Sequence, residues 1–332
     1  MTNTIVIEDV ELTYSDGTEA VKGIDLEIPD GEFFGFLGPN GAGKTTTIKI
    51  LATLLQPTAG MAEVNGFDAK TDPRLIRQSI GYMAQETLVD YQLTARENIR
   101  FACEAYNVPH SEREHRIEEL LELTDLTDVA DKRPDDFSGG MQKRLDAATA
   151  LVHQPSLVFL DEPTTGLDPK ARNRLWDYFR RINSEGTTIF LTTQYLEEAD
   201  QLCDRIGIIL DGEIIATGSP TELKQQVGGD ILDLEIEDED DMRTRAAEVV
   251  HKSSVFPDEP TIESRPDGLS VASRAVQNHS QDLLLELLNA DVAITGFAIR
   301  TPTLDDVFLA ITGEHIEDSQ THDDQVTPEV TQ

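Results

Sequence analysis

Eight consecutive residues, Gly38-Pro39-Asn40-Gly41-Ala42-Gly43-Lys44-Thr45, fit the pattern G-x-x-x-x-G-K-[ST]. Glycines let successive backbone N–H groups converge on one anion, and a helix starting near Gly43 aims its positive end at the same point. Lys44 supplies a compact charge to the β- and γ-phosphates of a nucleotide. The Thr45 hydroxyl is a hard ligand for Mg2+, and Thr46 follows it in the same turn. A glycine-rich turn without a ligand is the bland alternative. A second segment, Leu157-Val158-Phe159-Leu160-Asp161-Glu162, is an apolar run ending in two carboxylates. Buried strands do not end in Asp-Glu for packing reasons. Asp161 is placed to hold Mg2+ through water, and Glu162 to polarise the attacking water as general base. Ordinary surface charge at an exposed strand end is the other reading, and the cradle in the same chain weighs against it.

Such groups need a scaffold. Ile5, Ile7, Val10 and Leu12 give a strand pattern, as do Ile24, Leu26 and Ile28, with Asp16-Gly17 as the turn between them. Glu32 to Leu37 reads as a short apolar strand running straight into the cradle, with a helix after it. Leu157 to Leu160 and Thr188 to Leu191 read as buried strands followed by helices, and Asp211-Gly212 as a hairpin. Thr94 with Glu97 and Ser111 with Glu114 read as capping boxes, and Ser219-Pro220-Thr221-Glu222 as a helix start. Alternating strands and helices imply a largely parallel, covered sheet. Gly228-Gly229-Asp230 marks a boundary. Beyond it the order is strand 231–237, helix 241–251, strand 261–264, strand 269–273, helix 280–289 and strand 292–299, a ferredoxin-like βαββαβ unit. A last helix after Thr303 carries Leu304, Val307, Phe308 and Ile311 on one stripe. No internal repeat is visible.

At Phe137-Ser138-Gly139-Gly140-Met141 the pattern reaches a family. With the cradle and the Asp-Glu strand, it resembles ABC-type ATP-binding subunits. Physically, Ser-Gly-Gly before a helix is a second anion site, a capped N-terminus with free amides. The resemblance implies that Ser138, Gly139 and Gly140 serve the ATP of another protomer, so that two copies close head to tail over two MgATP. Gln85, in Gly81-Tyr82-Met83-Ala84-Gln85-Glu86, resembles the Q-loop glutamine, touching Mg2+ or the lytic water and reporting to a membrane partner. Gly166-Leu167-Asp168 resembles the loop that contacts across the dimer. Tyr14 sits where the family stacks an aromatic ring on adenine, although a Tyr at a strand end also serves simple packing. Gln194 stands in place of the family's switch histidine. A Gln amide can donate to a γ-phosphate oxygen but cannot carry a proton. Gln194 and Met141 together are similar to a narrower group, the daunorubicin-type drug-resistance exporter subunits, as is Thr301-Pro302-Thr303-Leu304-Asp305-Asp306-Val307-Phe308-Leu309-Ala310-Ile311-Thr312-Gly313. The resemblance covers about residues 4–225, and over 230–313 rests mainly on the final helix.

It implies an α/β P-loop nucleotide-binding domain (1–228) with a mixed sheet core, an edge antiparallel β part and a helical subdomain at about 86–153. A small α+β C-terminal domain (229–313) and a disordered acidic tail (314–332) follow. It implies an ATPase motor with ATP and Mg2+ as cofactors, driving a separate polytopic permease from the cytoplasmic face of the membrane. A soluble non-transport ATPase and an importer motor remain as alternatives.

Composition bounds the rest. The 332 residues carry 63 acidic and 27 basic side chains, a net charge of -36. Clustered cations are what nucleic acid demands, so no nucleic-acid partner is expected. With 39% hydrophobic residues a core can form. No stretch approaches the ~20 apolar residues of a membrane helix, and no signal peptide is read. Two cysteines, Cys103 and Cys203, make no disulfide framework. Residues 230–332 hold 24 acidic and only 6 basic residues. Adaptation to concentrated salt, which screens such charge, is favoured over a local interaction surface or solvated disorder.

Overall fold

The computed structural model describes residues 2–237, 240–257 and 259–312. The chain divides into two compact units between Ser219 and Pro220.

The first unit opens with β1 (Asn3–Thr13) and β2 (Glu19–Pro29), an antiparallel pair closed through Gly17 at φ 93°. Next come β3 (Phe33–Leu37), α1 (Lys44–Leu51), β4 (Ala59–Val64) and β5 (Phe67–Asp68). Then follow α2 (Pro73–Ser79), β6 (Ile80–Met83), α3 (Ala95–Ala105), α4 (His110–Leu123) and α5 (Gly139–Ala150). The unit ends with β7 (Leu157–Asp161), α6 (Pro169–Ser184), β8 (Thr188–Thr193), α7 (Leu196–Leu202), β9 (Arg205–Leu210) and β10 (Glu213–Gly218). Its central sheet runs β10-β9-β3-β8-β7-β6, parallel except for the β9–β10 hairpin. A second, antiparallel sheet runs β2-β1-β4-β5. Sequence reading missed β4, β5 and β6, which are short and weakly periodic.

Every residue of β3, β7 and β8 is buried, as strands covered on both faces require. Phe190 on β8 holds them together. Its ring centre lies 5.4 Å from Phe34, 5.7 Å from Phe36 and 5.7 Å from Phe159. All three strands therefore end at one level, and functional side chains follow at those ends.

Thr94 and Glu97 form the expected capping box on α3. Ser111 and Glu114 do not. Pro109 precedes α4, which starts at His110, so Ser111 lies inside the first turn and caps nothing.

The second unit is α8 (Pro220–Gln226), β11 (Asp230–Ile236), α9 (Asp240–Lys252), β12 (Thr261–Arg265), β13 (Gly268–Ser273), α10 (Val276–Asn289), β14 (Ile294–Arg300) and α11 (Leu304–Thr312). Its antiparallel sheet has the order β12-β13-β11-β14, as a ferredoxin-like βαββαβ unit has. Leu232, Leu234, Leu269, Val271, Leu283 and Leu287 form its core. α10 begins ahead of the expected 280, because the turn is made by Ser273 accepting from Ala275 N–H and no polar N-cap marks it. On α11, Leu304, Val307 and Phe308 are buried as read, but Ile311 is 39% exposed, one turn past the packed stretch. The tail expected at 314–332 lies outside the described residues.

Candidate functional site

The loop after β3 is held open by backbone geometry. Gly43 has φ 106°, and a Cβ there would stand 2.4 Å from Ala20 O, so only glycine fits. Gly43 also occupies the N-cap of α1 with no side-chain cap, which leaves the first amides of the helix available to an anion. Gly38 N–H donates to Thr193 O at 3.3 Å, tying the loop to the end of β8. Ala42 is buried, and its carbonyl accepts from Gly212 N–H at 3.1 Å.

Lys44 is only 4% exposed. Its Nζ donates to Gly38 O and Pro39 O, each at 2.8 Å, and stands 3.3 Å from Glu162 Oε1. Burial pushes the Lys44 ammonium down from its ordinary value, and the Glu162 and Asp161 carboxylates oppose that. Thr45 Oγ1 donates to Asp161 Oδ1 at 3.0 Å. Thr192 Oγ1 donates to the same oxygen at 2.7 Å.

Glu162 follows β7 with φ 47°, a left-handed conformation unfavourable for a side chain this size. Its N–H donates to Thr192 O (3.1 Å) and Thr192 Oγ1 (3.2 Å), which fixes the bend. The side chain is 5% exposed and accepts from Gln85 Nε2 at 3.2 Å. A cleft of about 320 Å³ is lined by Asn40, Gly41, Gly43, Lys44, Thr45, Thr46, Gln85 and Glu162. Thus cradle, Gln85 and Glu162 converge, although Gln85 and Glu162 are far apart in sequence.

Tyr14 is 38% exposed, and its hydroxyl pairs with Thr46 Oγ1 at 3.0 Å, so it stands beside the cradle without lining this cleft. Ser138, Gly139, Gly140 and Asp168 do not line the cleft either. Ser138 caps α5 by accepting from Met141 N–H at 3.3 Å, and Asp168 caps α6 by accepting from Ala171 N–H at 2.9 Å. Gly140 packs closely on Ala171: an added Cβ would be 2.6 Å from the Ala171 methyl. Those two loops are neighbours. Gln194 is half-buried just past β8, where Thr193 Oγ1 accepts from Tyr195 N–H at 2.9 Å.

Three residues were missed from sequence. Thr192 grips both acidic positions, and a hydroxyl at a buried strand end was the only signal. Lys143 and Asp146 stand three apart on α5. Lys143 Nζ donates to Gln85 O, and Asp146 Oδ1 accepts from Leu88 N–H at 3.2 Å. Burial pushes the Asp146 carboxyl up to about 6. Its Oδ2 is buried without a partner.

Among the described residues no cluster of three His, Cys, Asp or Glu side chains could hold a metal alone. The Thr45 hydroxyl and the Asp161 carboxylate, 3.0 Å apart, are the hard oxygen donors Mg2+ takes when phosphates complete its shell, so the residues fit that ion.

A loop with free helix amides, a buried lysine and a carboxylate on a strained strand end define a P-loop ATPase. Residues 21–165 match the ABC transporter family, and 218–312 match the C-terminal domain of DrrA1-3-like ATP-binding proteins. The daunorubicin/doxorubicin resistance ATP-binding protein DrrA of Streptomyces peucetius is 41% identical over 92% of each chain. The linearmycin resistance ATP-binding protein LnrL of Bacillus subtilis is 35% identical over 94% of this chain and 99% of its own. Among solved structures, CbiO1 from Clostridium perfringens matches with TM-score 0.63 and 28% identity over 68% of this chain and 94% of its own. The ATP-binding cassette MJ0796 bound to ADP and Pi matches with TM-score 0.60 and 30% identity over 65% of this chain and 98% of its own. The chain belongs to the ABC transporter ATP-binding proteins, in the DrrA-like branch, and it is an ATPase. Among the described residues no helix is long and apolar enough to cross a membrane.

Proposed function

We propose that this chain is the ATP-hydrolysing motor of an exporter, closing head to tail with a second copy and driving a separate membrane-spanning subunit. The observation that carries the reading is Glu162, held within 3.3 Å of Lys44 and 3.2 Å of Gln85 at the mouth of the cradle. Asn40, Gly41 and Gly43 present backbone amides to the phosphates, flanked by Gly38, Pro39 and Ala42. Lys44 leaves the Gly38 and Pro39 carbonyls to meet the β- and γ-phosphates. Thr45, Asp161 and Gln85 would hold Mg2+, which when bound neutralises part of the phosphate charge. Once Lys44 has turned to the nucleotide, Glu162 is freed to take a proton from the attacking water. Gln194 donates its amide hydrogen to the γ-phosphate. Tyr14 packs on the adenine.

Ser138, Gly139, Gly140 and Asp168 act on the nucleotide of the second copy. Their placement outside the cleft of their own chain favours this reading, since capped helix starts bind anions. The relatives named for drug resistance favour export over import. The helical subdomain, about 86–153, would receive the permease, and the C-terminal unit, which begins at Pro220 and not at the 229 read from sequence, is accessory to the cassette before it.

Purification from membranes in high salt tests the assembly. A co-eluting polytopic protein supports transport, and co-eluting ribosomes or nucleic acid would refute it.

A further inference from the structure

One carboxylate outside the phosphate cleft joins three segments that carry its chemistry. Glu198, on α7, is 0% exposed. Its Oε1 accepts from Trp176 Nε1 and from Thr164 Oγ1, both at 2.9 Å. Thr164 stands two residues after Glu162, and Trp176 lies on α6, the helix that Asp168 caps. Burial pushes the Glu198 carboxyl up from its ordinary value, and the neighbouring Thr193, Trp176 and Thr164 oppose that. Through its carbonyl the same Thr193 receives Gly38 N–H at the start of the cradle, 3.3 Å away. Arg172, one turn before Trp176, covers the rings of Trp176 and Tyr195 at 5.5 and 5.8 Å from their centres.

This arrangement is costly as mere packing. A buried carboxylate loses its hydration, and apolar residues of similar volume often replace such groups at no loss of stability. Glu198 Oε2 and Arg172 Nε are moreover buried without hydrogen bonds. Stability alone therefore does not account for an acid here. What the acid does provide is one oxygen shared by the loop that bears Glu162 and by the helix that Asp168 opens, next to the strand end that bears Gln194.

We propose that Glu198 is a positioning residue for ATP hydrolysis: through Thr164 and Trp176 it sets the 162–168 loop and α6 in one register beside the 193–195 segment. Glu162 and Gln194 then meet the γ-phosphate together. The inference rests on the roles given to those two residues above. Glu198 touches no substrate, so its removal acts on turnover and not on nucleotide binding.

Steady-state ATP hydrolysis by the full chain tests it, with the single tryptophan, Trp176, reporting on the network by its fluorescence. Glu198→Leu keeps the volume and removes the acceptor. It is expected to lower kcat by about tenfold or more, leave KM for ATP within about twofold, and shift the Trp176 emission. Glu198→Gln still offers an amide oxygen to both donors and is expected to keep at least about half of kcat. A Glu198→Leu protein with parental kcat overturns the proposal, as does a Glu198→Gln protein no better than Glu198→Leu. Should Glu198→Leu fail to fold, Thr164→Val decides: a severalfold loss of kcat supports the link, and parental kcat overturns it. Glu162→Gln serves as the separate control. If it hydrolyses ATP like the parent, the assignment of the base has failed, while the Glu198 series still reads its own effect on kcat.

Discussion

Replacing Glu162 by Gln keeps the side chain's size and its contact with Gln85 but removes the charge that faces Lys44. Two effects of different size follow. Losing a general base costs about 10²–10⁴ in rate, or about 3–5 kcal/mol of barrier. The second effect is on binding. Unit charges 3.3 Å apart attract by about 5 kcal/mol gross at an effective dielectric of ~20. Desolvation of the two buried groups offsets most of that, leaving a net of order 1 kcal/mol. ATP no longer has to break this pair to reach Lys44, so its affinity rises by about fivefold. Glu162→Gln is therefore expected to bind ATP more tightly than the parent, hydrolyse it at least a hundredfold more slowly, and accumulate as a dimer in MgATP. Phosphate release gives the rate, calorimetric titration the affinity, and sedimentation the dimer. A variant that hydrolyses ATP within about threefold of the parent removes Glu162 as the base. Weaker ATP binding would instead show that the Lys44 pair does not compete with nucleotide.

Gln194→His should keep or raise turnover and add a pH dependence near the imidazole value of about 6.5; a large loss would reveal a role specific to the amide. Asp146→Asn should stabilise the protein at pH 8. The folded carboxyl sits at about 6, above the unfolded value of about 3.9, so the proton favours folding below about pH 4 and that help is lost as pH rises through 6. The gap is of order 2–3 kcal/mol at pH 8, and melting temperatures of the two proteins should converge toward pH 4. A gap independent of pH would contradict the buried position of this acid. Finally, melting temperature and ATP turnover should both rise toward molar KCl, and undiminished stability in dilute buffer would remove the salt-adapted reading of the -36 charge.

What the sequence made legible was local. Thr94 and Glu97 lie three residues apart, and their reciprocal hydrogen bonds need nothing else from the fold. The same spacing at Ser111 and Glu114 misled, because Pro109 fixes an extended backbone and moves the helix start ahead of the serine. The cradle was legible because each of its residues has a backbone or charge duty that few others can fill. Illegible were contacts made by sheet order. Gln85 meets Glu162 only because β6 and β7 are parallel neighbours, and Lys143 reaches Gln85 O only because α5 packs against β6. Glu198 carried no signal in the sequence, since its hydrogen-bond partners Trp176 and Thr164 lie on α6 and on the loop after Glu162.

The net charge of -36 poses a problem for any protein that must attract a polyanion. Its resolution is one of distance and dielectric. Lys44 is almost wholly buried, so its field acts inside the cleft, where screening is weak, whereas surface carboxylates act through water. The amides of Gly41, Gly43 and the first turn of α1 add fixed partial charges at contact range, which no distant carboxylate can match. At about 0.15 M salt the Debye length is ~8 Å, and approaching ATP feels the acidic surface before it feels the cleft; at 1 M the length is ~3 Å and that outer barrier is gone. Salt should therefore speed ATP association more than it changes the rate of release. A salt-independent association rate would mean that the acidic residues lie away from the approach to the cradle.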